Sequence, residues 1–135
     1  MSYLNGVYWD LDGTIANTEL EAHLPAFNLA FADFGLNWYW DPTNYIDLLK
    51  INGGKNRISY FSTSINSPLP SEIVLKIHER KQFHYLENIK KNAVKLKTGV
   101  KRLISELSEK NVRQFIVTSS SKKQVDLLVN HLFFD

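Results

Sequence analysis

The sequence predicts an α/β fold carrying an inserted all-helical domain, and three observations predict it. An apolar, aromatic run from Leu4 to Trp9 stops abruptly at Asp10-Leu11-Asp12-Gly13-Thr14. A second apolar run, Val112 to Val117, stops at Thr118-Ser119-Ser120-Ser121 far downstream. Between them the apolar residues recur mostly at steps of three and four. Short apolar runs bounded by turn residues read as buried strands, and steps of three and four read as helices. Two strands that far apart belong to a sheet with a helical excursion between them, the strands parallel and packed between helices.

The elements follow in order. Leu20, Leu24, Phe27, Phe31 and Phe34 share one helical face, which Gly35 ends. Pro25 falls inside this pattern, so it either sits in the first turn or kinks the helix. Tyr45 to Lys50 reads as a short helix stopped by Gly53-Gly54, and Asn56 to Phe61 as another. Ser62 to Pro70, rich in Ser, Asn and Pro, reads as a loop. Ser71 is placed to cap a long helix running to about Asn92. Its stripe is Ile73, Ile77, Lys81, Tyr85 and Ile89, a lysine in the middle of an otherwise apolar row. Thr98-Gly99 opens a helix with Val100, Leu103, Ile104 and Leu107 on one side. After the second strand, Ser121 opens a last helix with Gln124 at capping-box spacing. Its apolar face is Val125, Leu128, Val129 and Leu132.

Composition narrows the class. The chain has 135 residues, 44% hydrophobic and 22% charged, with no cysteine. That balance excludes a disordered chain and a disulfide scaffold. No apolar run is long enough to span a bilayer and the N-terminus lacks a signal-peptide pattern, so a cytoplasmic protein without a membrane partner is expected. The net charge of +2 conceals an asymmetry. Residues 1–47 hold seven acids and no Lys or Arg, whereas residues 48–135 carry a net +9. The first segment suits a cation and the second an anion.

Asp10 and Asp12 stand one residue apart at a strand end, where ligands of α/β sheets gather. Two close carboxylates repel, so they call for a cation or a shared proton. A hard oxygen pair suits Mg²⁺, which takes few protein ligands and keeps its waters. Gly13 permits the chain to turn back. Read alone, the pair is an ordinary Asp-Gly turn. The full string WDLDGTIANTE resembles motif I of the haloacid dehalogenase (HAD) superfamily, matching at Asp10, Asp12, Gly13, Thr14 and Ile15.

The resemblance implies a HAD-like Rossmannoid core and a covalent phosphoryl transfer. Asp10 is then the nucleophile that becomes an aspartyl-phosphate, and Asp12 the general acid and base. The Asp10 carboxylate and the Asp12 carbonyl become the Mg²⁺ ligands. FIVTSSS resembles motif II, which implies phosphate binding by Ser119 with Ser120 and the N–H groups of the helix start. Without motif I, those serines read as a helix cap. The helical insertion resembles the C1-type cap of the β-phosphoglucomutase-like subfamily, and within it the cap of CbbY-type sugar-bisphosphate phosphatases, which are associated with the Calvin cycle. The carried strings are Thr18-Glu19 with His23, Ala26-Phe27-Asn28, GGKNRI at Gly53 to Ile58, and IHERK with a later Tyr at Ile77 to Tyr85. They imply substrate contacts at His23, Lys55, Arg57 and Lys81. Lys81 points the same way without the family, because a bare ammonium in an apolar stripe needs an anion or a path to solvent.

The resemblance divides the chain into a partial core, 1–16 and 93–135, around a cap at 17–92. Lys97-Thr98 replaces the family's Arg-Pro. The motif III lysine and motif IV acids have no counterpart after Ser121, so the chain is expected to be the N-terminal part of a longer enzyme and inactive by itself. The expected function is a Mg²⁺-dependent phosphatase of a small sugar bisphosphate such as xylulose 1,5-bisphosphate. The alternatives are a sugar phosphomutase and an inactive anion-binding fragment. No nucleic-acid motif accompanies the basic half, so the expected partner is a small phosphorylated molecule.

Overall fold

The computed structural model describes residues 3–91 and 94–134. Two strands, β1 (Gly6–Trp9) and β2 (Arg113–Ile116), pair in parallel, with Gly6 opposite Arg113 and Trp9 opposite Ile116. Each strand is shorter than the apolar run that announces it, because pairing covers only four residues of each. The pair is fastened on both faces. Tyr8 stacks on Phe115 with ring centroids 5.4 Å apart, and the Trp9 indole donates to Gln114 Oε1 at 3.0 Å.

Between the strands lie α1 (Leu24–Asp33), α2 (Pro42–Leu48), α3 (Gly54–Ser64), α4 (Ser71–Lys90) and α5 (Val100–Glu109); α6 (Lys122–Phe133) follows β2. A π-helical turn, Glu19–His23, precedes α1, and the Leu24 N–H reaches back to the Glu19 carbonyl. Pro25 is the second residue of α1 and follows the π turn directly in an unbroken helical run, so its missing N–H falls where the helix is already widened. The α2 helix starts earlier than its apolar residues indicate, because Asp41 caps it by accepting the Asn44 N–H at 2.8 Å.

Three local expectations are corrected. Ser71 is the first residue of α4 rather than its cap; Pro70 holds the cap position and no side chain caps the helix. The fully buried row of α4 is Val74, Ile77, Lys81, Tyr85 and Ile89, because a helix of 3.6 residues per turn carries Ile73 to the edge of that face, where it is only partly buried. Ser121 does accept the Gln124 N–H, but the Gln124 side chain does not close a capping box. It donates instead to Gln82 Oε1 of α4 at 2.5 Å. The expected end of α4 near Asn92 and the boundary between 92 and 93 lie outside the described residues.

Two apolar cores result. One joins Trp9, Leu11, Ile15, Val100, Leu107 and Leu128 beneath the sheet. The other joins Phe27, Phe31, Trp40, Tyr45, Ile58 and Ile77 among α1–α4. Helix α4 belongs to both: Ile77 packs in the second core, Tyr85 and Ile89 in the first, and Lys81 stands between. The two crossings between the units run side by side, with Ala16 bridged antiparallel to Leu96 and the Lys97 N–H bonded to the Ile15 carbonyl at 2.9 Å. Among the described residues no helix is long and apolar enough to cross a membrane.

Candidate active site

The loop after β1 folds tightly on itself. Gly13, at φ +77°, turns the chain, its N–H bonds to the Ala16 carbonyl at 2.8 Å, and the Ile15 N–H returns to Leu11. Leu11 and Ile15 are buried and anchor the loop, which leaves the polar residues to face outward. Asp12 faces the start of the helical excursion. Its Oδ1 accepts from Thr18 Oγ1 at 2.5 Å and from His23 Nε2 at 3.3 Å; its Oδ2 accepts from Ser120 Oγ at 2.8 Å. Burial alone raises the pKa of this carboxyl, but the bonds from His23, Thr18 and Ser120 outweigh it and hold Asp12 well below the usual carboxylate range.

His23 continues the chain of contacts. Its Nδ1 lies 2.8 Å from Lys81 Nζ, and its ring stacks on Tyr85 at 4.2 Å. An ammonium has only donors, so Nδ1 accepts from Lys81 and Nε2–H donates to Asp12. Burial, then the Lys81 charge, lowers the His23 pKa, which keeps the ring neutral and able to make both bonds. Lys81 is only 4% exposed, and Phe27 and Tyr85 present their ring faces to it at 4.8 and 5.5 Å. Burial lowers its pKa to about 8, with Glu19 and Asp12 opposing that and Arg57 adding to it.

A cavity of about 350 Å³ opens between the two units. Its walls include Asp12, Glu19, His23 and Lys81 on one side and Asn52 to Arg57 at the start of α3 on another. Ser119, Ser120 and Gln124 close it from the β2–α6 side. Lys55 is exposed at the rim, while Arg57 is half-buried, its Nε donating to the Leu48 and Ile51 carbonyls. Glu19 is held by the buried Tyr45 hydroxyl at 2.6 Å. Of the eight site residues expected from sequence, Asp12, His23, Lys55, Arg57, Lys81, Ser119 and Ser120 meet at this cavity.

Asp10 does not line it. It is exposed at the end of β1, its Oδ1 accepting from the Leu11 N–H and its Oδ2 from Thr14. Among the described residues no group of three or more His, Cys, Asp or Glu gathers to hold a metal. The donors suited to Mg²⁺ are the Asp10 carboxylate and the Asp12 carbonyl, hard oxygens in the small number this ion takes from protein. Both Asp12 side-chain oxygens are already engaged within the protein.

A family model described as haloacid dehalogenase-like hydrolase matches residues 7–135. The chain belongs to this family. Protein CbbY (plasmid) of Cupriavidus necator is 36% identical over 98% of the HAD chain and 54% of its own length. Protein CbbY of Rhodobacter capsulatus is 35% identical over 96% and 57%. The chain thus spans about half the length of the curated relatives it matches. Among solved structures, CbbY from Rhodobacter sphaeroides in complex with phosphate superposes with a TM-score of 0.81 at 32% identity, over 98% of this chain and 59% of that one. A mutant of that protein in complex with xylulose-(1,5)bisphosphate gives 0.81 at 31%, with the same coverage. The fold is HAD-like, and the β1–β2 pair is the part of its α/β core that this chain contains.

Sequence reasoning missed six polar residues of the HAD site: Glu19, Asn52, Asn56, His78, Gln82 and Gln124. Glu19 stands four before His23 on one helical turn, and His78 stands three before Lys81 on α4; either spacing marks a shared face. Gln82 and Gln124 carried no signal, since an amide pair joining α4 to α6 exists only in the folded chain.

Proposed function

We propose that this chain carries the nucleophile and the phosphate-reading wall of a Mg²⁺-dependent phosphatase acting on a small sugar bisphosphate, with xylulose 1,5-bisphosphate the leading candidate. One observation carries the reading: Lys55, Arg57 and Lys81 face Ser119 and Ser120 across a 350 Å³ cavity that also holds Asp12. Cations on the cap side and hydroxyls on the core side are what a small molecule with a phosphate at each end requires. The likeness to CbbY in complex with xylulose bisphosphate supports the same substrate class.

In this reading Asp10, exposed at the end of β1 and oriented by the Leu11 N–H and the Thr14 hydroxyl, attacks phosphorus and forms an aspartyl-phosphate as the sugar oxygen leaves. Mg²⁺ held by the Asp10 carboxylate and the Asp12 carbonyl supplies charge neutralisation between carboxylate and phosphate. Ser119, with Ser120, holds the transferring group. Asp12, after taking a proton from solvent, gives it to the leaving oxygen and then takes one from the attacking water. As it stands Asp12 is an ionised acceptor of three hydrogen bonds. Release of the Thr18 and His23 bonds raises its proton affinity.

The test is a calorimetric titration of xylulose 1,5-bisphosphate with and without Mg²⁺. Binding is expected, strengthened by Mg²⁺ in the wild type and insensitive to it in Asp10→Asn. Lys81→Ala is expected to weaken the bisphosphate more than a sugar monophosphate, by about 1.5–3 kcal/mol for a charge-assisted contact. No binding, or equal weakening of both sugars, refutes the reading. Product analysis separates phosphatase from mutase, since only the former releases inorganic phosphate.

A further inference from the structure

The densest run of positive charge in the chain takes no part in the chemistry above. From Asn88 to Ser105 there is no acid, and the same segment holds Lys90, Lys91, Lys95, Lys97, Lys101 and Arg102. None of the six lines the cavity that holds Asp12. They follow the return crossing, from the end of α4 to the first turn of α5. Their neighbours dictate their exposure. Val94 and Val100 are buried, and Leu96 packs against the core beneath the sheet. Burial alternates from Val94 to Lys97, as in an extended segment, so Lys95 and Lys97 turn outward together. All six cations are exposed. Lys90 pairs with Glu87 and Arg102 with Glu106, whereas Lys91, Lys95, Lys97 and Lys101 have no carboxylate partner among the described residues.

A hollow of about 430 Å³ lies beside this run, lined by Val94, Lys95, Leu96, His131 and Leu132. It shares no residue with the cavity of the candidate active site. We propose that the return crossing is a docking surface for an extended acidic segment of a partner protein, whose carboxylates meet Lys91, Lys95, Lys97 and Lys101 and whose apolar side chain enters the hollow. The inference goes beyond the phosphatase reading and does not rest on it. In an extended peptide, side chains two apart share a face at a spacing of about 6.6 Å, the repeat that sets Lys95 and Lys97 side by side. The hollow favours a peptide over a polyphosphate, because a nucleic-acid backbone has no apolar side chain to place there. From Leu86 to Gln114 there is also no aromatic ring on which a base could stack. A lipid surface fits less well, since α5 packs Val100, Ile104 and Leu107 against its own core and has little apolar surface to insert. Nor do the acids of a second copy fit. Asp12 and Glu19 are engaged inside the protein, Asp33 by Arg80 and His84, Asp47 by Lys50, and Asp41 caps α2.

Fluorescence anisotropy on the 135-residue chain tests this at low salt with a labelled heptapeptide, EDELEDE. Saturable binding is expected. Lys95→Glu combined with Lys97→Glu should weaken it about tenfold or more, while Lys76→Glu combined with Lys110→Glu, the same change of charge at exposed positions outside the run, should weaken it by no more than about twofold. EDESEDE, with serine for leucine, should bind about tenfold less tightly because nothing apolar fills the hollow. Circular dichroism melts check that both double variants keep the wild-type fold. Absence of saturable binding, equal loss in the two double variants, or equal affinity for the two peptides overturns the proposal. So does tighter, Lys95- and Lys97-dependent binding of a DNA duplex, of poly(U) or of phosphatidylserine vesicles, which assigns the run to a phosphate polymer or a lipid surface. Each of these results leaves the phosphatase reading standing.

Discussion

Replacing Lys81 by methionine should stabilise the protein while damaging its binding site. The side chain is buried between two apolar cores, and folding lowers its pKa from 10.5 to about 8. At about 1.4 kcal/mol per unit, the charged form is penalised on folding by about 3 kcal/mol. Methionine keeps the stem and sheds the charge. It also leaves His23 Nδ1 without its donor, which costs about 1 kcal/mol. Lys81→Met is therefore expected to gain about 2 kcal/mol at pH 7. The pH dependence fixes the cause. Below pH 8 the lysine is charged in both states and its penalty is complete. Between pH 8 and 10.5 the unfolded chain holds the proton and the folded one does not, so wild-type stability rises toward the variant's. Tyr45 and Tyr85, whose pKa values burial raises, are common to both proteins and cancel in the difference. Urea unfolding of both proteins from pH 6.5 to 10 measures it. A variant less stable than wild type at pH 7, or a difference that stays constant across the range, refutes the reasoning.

Other perturbations read other parts of the site. In a full-length enzyme that contains this chain, Asp10→Asn should lower Mg²⁺-dependent phosphate release by several orders of magnitude, as loss of a covalent nucleophile does, and near-normal rates would remove Asp10 from that role. Gly54→Ala, whose Cβ would lie 2.8 Å from His78 Nε2, should leave the chain folded, at a cost of about 1–3 kcal/mol seen as a lower Tm, and should push the His78 ring into the cavity, weakening bisphosphate binding. Tyr45→Phe removes the donor to Glu19 and should cost about 1.5–3 kcal/mol in denaturant unfolding, the range for a bond to a charged group. Tyr8, Phe115, Ile116, Val117 and Phe134 are exposed around the two strands, so the isolated chain should self-associate. Sedimentation should show concentration dependence that Phe115→Lys reduces.

What was legible in the sequence was local. The strand ends, the Gly13 turn and the Ser121 cap depend on residues within a few positions of one another, and turn chemistry is written at that range. Lys81 was legible because it violates a pattern: a cation in an apolar stripe announces its own difficulty. The π-turn was not legible, since steps of three and four tolerate one widened turn without changing which residues are apolar. Nor was the separation of Asp10 from Asp12. One residue apart in sequence, they part because buried Leu11 anchors the loop between them, leaving one exposed and the other aimed at Thr18 and His23. The ties on Asp12 draw on Thr18, His23 and Ser120, and no local rule relates the third to the other two. His78 was hidden by its ordinariness, because a histidine on a helix is unremarkable until the face it shares is known.

The pairing of Ala16 with Leu96 has a consequence for how this architecture can be altered. The excursion leaves and re-enters at neighbouring points, so to the sheet it is a closed loop rather than a spacer. Closing a flexible loop of about 80 residues costs about 4 kcal/mol of chain entropy, and halving or doubling its length changes that by only about 0.6. The strands beneath need the ends of the loop to meet and, from its contents, only the side chains that reach their core, Ala22, Ala26, Tyr85 and Ile89. A foreign helical unit whose termini lie as close as Ala16 and Leu96, and which supplies an equivalent apolar face, can therefore be grafted at this seam with β1 and β2 kept in register. Nearly everything such an exchange alters lies on the wall opposite Ser119, so the seam is where substrate preference can be rewritten while the loop that carries Asp10 is left untouched.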